Sequence, residues 1–385
     1  MKIVVLSDLH YGHRKVSGKH MYFNLVKYAY PEIEKCDLFI ISGDTFHSLL
    51  DFNHPAASYI IQFFNDLFYM SQKYHFKIRI LRGTYSHDRD QIKYIEKSSY
   101  SSLDIQKTDL KIYSDISIDE EIVNKESVRI LYLPDDLPYK NQEECLDAVY
   151  KLLVSRKWNK VDLIIGHGYC QYVLPFGAKG PSVVYTAEAL SSICKHIAVF
   201  GHVHTPSTKR YKKFTMVYVG SFERMNHGEE ERKGFITIDT KNWSVEFKEN
   251  KNTLNFLTYT PTIEGTEAIV EDFKRWINRV KLDKENVNYI RVKHHDTAIR
   301  QLLGRISREE YKDYKIVYSS ETVKEKDAII ENTLTINDTS QMVQPTEDNI
   351  IQLIMNTIKE KNLPTLKKSR VEALWCLQFD EDKYE

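Results

Sequence analysis

The sequence predicts an α/β fold with buried sheets. Two patterns carry that prediction. Short apolar runs rich in Ile and Val each end in a polar cluster, and helical stretches separate the first of them. Ile3–Leu6 leads into Ser7-Asp8-Leu9-His10, and Leu38–Ile41 leads into Ser42-Gly43-Asp44. Phe76–Leu81 leads into residues 83–88, Leu163–Ile165 into Gly166-His167-Gly168, and Ile197–Phe200 into Gly201-His202-Val203-His204. A helix is expected over 20–35, with Met21, Leu25, Tyr28 and Ala29 on one face. A second is expected over 55–74, with Ile60, Ile61, Phe64, Leu67 and Phe68 inward. In sheets of this kind ligands sit beyond the strand ends, where the polar clusters fall.

Residues 128–134, 215–219 and 234–240 read as further strands. A second, small α/β unit follows, with strands at 254–260, 288–294 and 314–319 and amphipathic helices at 266–280 and 297–311. Residues 321–347 are polar and aperiodic and read as a linker. An amphipathic helix over 348–361 carries Ile350, Ile351, Leu353, Ile354 and Ile358, and Pro364 ends it. A last apolar segment, 366–379, holds Val371, Leu374, Trp375 and Leu377. The expected division is therefore a core over 1–248, a cap over 249–320, a linker over 321–347 and a helical tail over 348–385.

Composition narrows the function classes. At about 150 residues per domain, 385 residues suggest two or three domains. Lys+Arg and Asp+Glu are both 54, which excludes a histone-like cation but leaves a local basic groove open. Five cysteines, an odd number without C-x-x-C spacing, argue against a disulfide framework or a cysteine zinc site. They fit a reducing compartment and a cytoplasmic location. The opening MKIVVLSDLHYGH has an apolar run too short for a signal peptide, and no 18-residue apolar window suggests a membrane span.

Seven of the 14 histidines fall in or just after the strand-end clusters: His10, His13, His47, His87, His167, His202 and His204. One histidine alone is usually a hydrogen-bonded structural residue. The ordered set Asp-x-His, Gly-Asp, His-Asp, Gly-His and Gly-His-x-His is different. Carboxylate with imidazole suits divalent ions such as Mn²⁺ or Fe²⁺. Asp-x-His after a strand lets both side chains reach one ion, and Gly-His-x-His puts two imidazoles on one side of an extended segment. Glycines allow the tight turns and close backbone approach.

These motifs resemble the calcineurin-like metallophosphoesterase superfamily across the first 240 residues. The resemblance implies a two-sheet sandwich flanked by helices. It implies one ion held by Asp8, His10, Asp44 and His204, and a second held by Asp44, His167 and His202, with Asp44 bridging. Gly43-Asp44-Thr45-Phe46-His47 is similar to the Gly-Asp-x-Phe-His signature of the SbcD-type double-strand-break-repair nucleases. Gly220-Ser221-Phe222-Glu223-Arg224, with Glu229, Glu230, Lys233, Gly234 and Phe235, is similar to the segment leading from nuclease core to cap in those proteins. The order of core, cap, linker and tail matches as well.

One motif departs. The superfamily reads Gly-Asn-His-Asp where this chain has Gly83-Thr84-Tyr85-Ser86-His87-Asp88, two residues longer and without the Asn ligand. Aligning on His-Asp puts Ser86 in the Asn position; aligning on Gly puts Thr84 there. Ser86 is the expected replacement ligand, with water or Asp88 as alternatives. The resemblance gives His87 the role of general acid or charge stabiliser, with His47 supporting it or touching phosphate. His13 reads equally as a site residue or a surface-loop residue.

Basic residues flank the motifs: Arg14, Lys15 and Lys19 after the first, Arg89 after the third, Lys209 and Arg210 after the fifth. They read as phosphate contacts for DNA, or else as solvated surface. Gly12–Lys19 lacks P-loop spacing and His20 stands where Ser or Thr is required, so no ATP site is expected. The resemblance implies a separate SbcC-like coiled-coil ATPase, docked through the tail unless the tail folds back on its own core. It implies a homodimer through helices such as the apolar Ala57–Tyr69, which is equally suited to core packing. The expected activity is Mn²⁺-dependent DNA cleavage by a pair of divalent ions, exonucleolytic on duplex ends and endonucleolytic on single strands or hairpins. The rival readings are a phosphatase or small-molecule phosphodiesterase, and a DNA-binding scaffold with impaired catalysis.

Overall fold

The computed structural model of the chain describes residues 1–51, 53–95, 108–171 and 183–322. The expected helical tail, and the expected linker beyond residue 322, lie outside these residues; Glu321, expected to open the linker, ends a strand instead.

Two six-stranded sheets stack face to face. In the first, the strand order is Ser244–Glu249, Gly234–Asp239, Lys2–Leu6, Leu38–Ser42, Lys77–Leu81, Leu110–Tyr113. Its last four strands are parallel and the first two pair antiparallel. In the second, the order is Ser207–Tyr211, Phe214–Tyr218, Cys194–Gly201, Val161–His167, Glu126–Leu133, Ser117–Val123. A parallel centre there is closed at each edge by an antiparallel hairpin. Alternation of side chains divides the core into three layers. Ile3, Val5, Leu38 and Ile40 meet Ile130, Leu163, Ile165 and Val199 between the sheets. Val4, Leu6, Phe39 and Ile41 pack outward on the helices that follow the first two strands. Leu131, Ile164, Ala198 and Phe200 pack on helices Gln142–Ser155 and Ala187–Ile193. Both faces of the parallel strands are buried, which is why they read as continuous apolar runs.

The expected helix over 20–35 is Gly18–Asn24, a five-residue π-helical turn Leu25–Ala29, and Tyr30–Ile33. Pro31 has no N–H to bond back to the preceding turn, and the wider turn absorbs that mismatch. Helix Ala57–Tyr74 buries Ile60, Phe63, Phe64, Leu67 and Phe68. Ile61, expected inward, is exposed; its place is taken by Phe63, because 100° per residue carries 61 off the stripe set by 60, 64 and 67.

Between the sheets, Arg79 is buried and forks onto Glu121, its Nη2 at 2.8 Å from Oε2. The pair ties one edge of the first sheet to the second.

Residues 255–321 form a parallel three-stranded sheet, Asn255–Tyr259, Asn288–Lys293 and Ile316–Glu321, with helices Thr266–Arg279 and Thr297–Glu309 packed on it. Leu254 and Phe256 join the cluster of Phe222, Met225 and Phe235, so core and module share apolar packing within the single unit Met1–Thr322. Buried Glu223 seals the junction: its carboxylate accepts from Asn24 and from the backbone of Leu254, and faces His20 Nε2 at 2.8 Å.

Candidate metal centre

Parallel strands of both sheets deliver the site residues to one edge. Asp8 and His10 follow Lys2–Leu6, and Asp44 follows Leu38–Ser42. His167 ends Val161–His167, and His202 and His204 follow Cys194–Gly201. Asp8, His10, Asp44 and His202 all sit at positive φ, 50°, 46°, 49° and 87°. Each such non-glycine residue costs roughly 1–2 kcal/mol, a strain that folds concentrate where side-chain direction matters. Gly43 also has positive φ, and a Cβ there would lie 2.2 Å from His167 Nδ1. A Cβ on Gly83 would lie equally close, 2.2 Å, to the Asp44 backbone nitrogen. The packing at these two turns admits only glycine.

The side chains converge as two groups, Asp8-His10-His204 and Asp44-His167-His202, each with ligand atoms within 4.8 Å of one another. Asp44 stands between them, its Oδ2 at 3.7 Å from His10 Nε2 and 3.2 Å from His167 Nε2. His10 Nε2 faces His204 Nε2 at 3.1 Å. Neighbouring groups fix the rings. His167 Nδ1 bonds the Ser42 carbonyl at 2.8 Å, turning Nε2 toward Asp44. His204 Nδ1 meets Glu229 at 3.2 Å, and buried Lys233 holds both Glu229 and the His204 carbonyl. Asp8 accepts the His202 amide on both oxygens, at 3.0 and 3.1 Å.

The electrostatics suit a cation. Burial pushes His10 well below the usual imidazole range, reinforced by His204, His87 and His47. Burial would raise Asp44, but the facing His167 and His10 outweigh it and hold the carboxyl below its ordinary range. His167 Nε2 is buried without a hydrogen bond, beside a carboxylate it does not bond. Burial would lower His167 and His204, but facing carboxylates raise them, so an ion bound there would compete with a proton. Imidazoles and ionised carboxylates converging in a largely buried cradle are the donor set of a borderline divalent ion, so the residues fit the group.

The third motif differs from expectation. Ser86 is exposed on the short helix Tyr85–Asp88 and joins neither group. Thr84 takes the place expected for it. Its amide donates to Asp44 at 2.7 Å, and its hydroxyl lies 3.4 Å from Asp44 Oδ2 and 3.3 Å from His202 Nδ1. The two extra residues are absorbed by the helical turn after Thr84, which sends Ser86 outward and returns His87 to the site. Asp88, expected as a catalytic group or ligand, is buried and accepts the amides of Gly83 at 2.7 Å and Phe46 at 3.1 Å. It is a brace between two motif loops; burial and the nearby Asp44 raise its carboxyl to about 7.

His87 and His47 lie beside His10. His87 Nδ1 donates to the His47 carbonyl, and its ring is 4.7 Å from His10 and 5.4 Å from His47. His10, His47 and His87 form a third convergent group. Burial and His87 lower His47. His13 touches His47, ring to ring at 4.6 Å.

The basic residues divide. Arg14, Lys15, Lys19 and His13 line a groove of about 850 Å³ between the first motif loop and the three-stranded module, with Phe23, Tyr59, Tyr289 and Lys315. Lys15 is partly engaged there, over the Phe256 ring at 5.4 Å, with its carbonyl accepting Tyr289 Oη–H at 2.7 Å. Arg89 is exposed outside this groove, as are Lys209 and Arg210 on the edge strand Ser207–Tyr211.

Sequence reasoning missed Asp135. It follows the strand Glu126–Leu133, and its Oδ2 lies 3.3 Å from Thr84 Oγ1 and 3.5 Å from His202 Nδ1. The signal was present, since Pro134-Asp135-Asp136 is one more polar cluster ending an apolar strand.

No curated protein matches the chain by sequence. Solved structures do resemble it. An archaeal phosphodiesterase is 12% identical with a TM-score of 0.31, over 64% of this chain and 98% of its own. A putative 5′-nucleotidase from Staphylococcus aureus is 14% identical with a TM-score of 0.36, over 64% of this chain and 53% of its own. The phosphopantetheinyl hydrolase of Mycobacterium tuberculosis is 14% identical with a TM-score of 0.28, over 57% and 89%. The calcineurin-like phosphoesterase family matches residues 1–206, across the strands and turns that carry every residue of the two convergent groups. The chain belongs to the calcineurin-like phosphoesterase family, and is by that membership a metal-dependent phosphoester hydrolase.

Proposed function

We propose that this hydrolase is a DNA nuclease of the SbcD type, acting exonucleolytically on duplex ends and endonucleolytically on single strands or hairpins. The observation that carries the reading is continuity between centre and groove: His13 lines the basic, aromatic groove and its ring touches His47, which belongs to the histidine group at the centre. Cations that neutralise phosphates, interleaved with aromatic rings that stack on bases, suit nucleic acid better than a small phosphomonoester.

Asp8, His10, Asp44 and His204 would hold one divalent ion, and Asp44, His167 and His202 the second; Mn²⁺ suits this donor set. Such a pair supplies charge stabilisation to the phosphoryl oxygens and activates water for in-line displacement. The chain's own residues do the rest. Asp44 fixes the spacing of the two groups. The His47 carbonyl fixes the His87 proton on Nδ1, leaving Nε2 as the atom that exchanges a proton with the departing oxygen. Gln91 locks that arrangement, donating to the carbonyls of His87 and Ser48 and accepting the Leu50 amide.

Recombination, repair or replication would be the setting, with an SbcC-like ATPase bound through residues 348–385 and DNA ends read by the module over 249–320. Exposed Leu49, Ile61, Tyr69 and Tyr94 support a homodimer through the face of helix Ala57–Tyr74. Free, buried Cys36, Cys145, Cys170 and Cys194 support the reducing cytoplasm. Among the described residues no helix is long and apolar enough to cross a membrane.

End-labelled duplex and single-stranded DNA should be incubated with Mn²⁺, Mg²⁺ or chelator and with wild type, Asp44→Ala or His87→Ala. Mn²⁺-dependent cleavage lost in both variants is expected. Hydrolysis of bis-p-nitrophenyl phosphate without DNA cleavage would replace the reading with a small-molecule phosphodiesterase. DNA binding with neither cleavage would replace it with a scaffold.

A further inference from the structure

The family's third-motif Asn is missing, and the chain fills that corner from the other sheet. We infer that Asp135, with Thr84 beside it, is the ligand that completes the second half of the metal centre; the inference rests on the two-ion reading above. Asp135 stands on the turn after Glu126–Leu133, in the second sheet, whereas Thr84 follows Lys77–Leu81 in the first. Both turns reach one cleft of about 220 Å³, lined also by His167 and His202.

The polar atoms of the two turns and of His202 lie close enough together to face one ion. Thr84 Oγ1, Asp135 Oδ2 and His202 Nδ1 form a triangle with sides of 3.3, 3.3 and 3.5 Å. The three side chains are partly buried, and these distances are longer than the roughly 2.7–3.0 Å of strong hydrogen bonds. They also exceed, by about half an ångström at most, the spacing of neighbouring donors on one octahedral ion, about 3 Å for bonds of about 2.1 Å, so a small closure brings all three onto one ion. Meanwhile the rest of Asp135 is held by shorter contacts. Its Oδ1 accepts the Asp136 amide at 2.8 Å, and its carbonyl accepts Arg82 at 3.0 Å. Asp136 in turn accepts the Tyr85 amide at 2.7 Å, stapling the two turns together. The carboxylate is thus anchored through one oxygen and presents the other toward His202.

Charge favours the ligand role. With Asp135, each half would have two imidazoles, one carboxylate of its own and the shared Asp44. Asp8 and Asp44 alone would leave two divalent ions with a residual charge of about +2; Asp135 lowers it to about +1, at a distance where each charge counts. A neutral amide ligand has been exchanged for an anionic one, and the second ion is bound more tightly than a threonine hydroxyl alone would allow.

The test is metal stoichiometry and affinity, read without substrate. Chelator-stripped wild type, Asp135→Asn, Asp135→Ala and the double variant Asp135→Ala with Thr84→Asn would be titrated with Mn²⁺ by calorimetry and by electron paramagnetic resonance. Wild type should bind two ions with a spin-coupled signal. Asp135→Ala should keep the first ion and weaken the second by at least about tenfold, leaving an uncoupled Mn²⁺ signal at one equivalent. Asp135→Asn, which keeps an oxygen for the Asp136 amide, should fall between them, and Thr84→Asn should restore part of the loss. Retention of the first ion in each variant reports that it folds. A second-ion affinity in Asp135→Ala within twofold of wild type would overturn the assignment of Asp135 alone. Fewer than two ions in wild type would overturn it together with the two-ion centre on which it rests.

Discussion

The two halves of the candidate metal centre offer the same donors and are held in place differently. Around Asp8, His10 and His204 the bracing is ionic and buried: Lys233 pairs with Glu229, and Glu229 meets His204 Nδ1. Around His167 and His202 it is mostly neutral and local: the Ser42 carbonyl takes His167 Nδ1, the His202 ring packs edge-on against His167 at 5.2 Å and Tyr169 at 4.4 Å, and the one added charge is Asp135, 3.5 Å from His202 Nδ1. The first half is positioned by a charge relay from the segment after Gly220, the second by packing and by the turn at Asp135. Identical ligand chemistry does not require identical support, and the halves should therefore fail to different substitutions.

The largest effect belongs to the residue they share. Asp44→Ala removes the carboxylate from both groups, and with it the acceptor for the Thr84 amide. Hydrolysis of bis-p-nitrophenyl phosphate should fall by about three orders of magnitude or more, and bound metal measured by atomic emission should fall for both ions. A variant that kept one full equivalent of tightly bound Mn²⁺ would show the halves to be less coupled than their geometry implies.

Next comes a substitution that should strike one half only. Glu229→Gln preserves size and an oxygen for the Met225 amide, but removes the charge between His204 and Lys233. Affinity for the first ion should drop by about 10–100-fold, as for outer-sphere partners of metal-bound histidines, with the second ion unaffected. Calorimetric titration of the stripped protein resolves the two steps. Equal weakening of both would erase the distinction between ionic and local support.

How much of this was legible follows from where each residue sits in the chain. Asp8, His10, Asp44, His167, His202 and His204 lie within a few residues of an apolar strand end, so strand reading and ligand chemistry point to the same positions. Thr84 and Ser86 could not be separated that way. The choice depends on whether two extra residues form a loop before His87 or a helical turn after Thr84, and sequence spacing is the same for both. Asp135 was missed for another reason: its strand-end cluster is visible, but its partner Thr84 is 51 residues away, in a different sheet, and only the stacking of the sheets brings them together. Asp88, expected as a catalytic group, accepts two backbone amides, a role the side-chain type does not announce. The helix Gln142–Ser155 covers the outer face of the second sheet and was not anticipated, since it carries none of the strand-end motifs.

The smallest expected effect concerns the two basic flanks of the first half. One leaves through His13 into the groove with Arg14 and Lys19; the other leaves through His204 onto the edge strand with Lys209 and Arg210. All four side chains are exposed, so single replacements should leave stability within about 0.5 kcal/mol. DNA affinity separates the flanks through its salt dependence. Removing one cation that neutralises a phosphate lowers the slope of log K against log salt by about 0.7–0.9, according to whether the strand is single or double. Arg14→Ala with Lys19→Ala should lower the slope by nearly twice that amount, because both face the concave surface joined to His13. Lys209→Ala with Arg210→Ala should lower it by less than one such step, because an edge strand outside the groove meets phosphate only through bulk attraction. Fluorescence anisotropy over a range of potassium chloride measures both. A larger change for the edge-strand pair would move the DNA path to the His204 side of the centre, and with it the assignment of His87 as the group beside the departing oxygen.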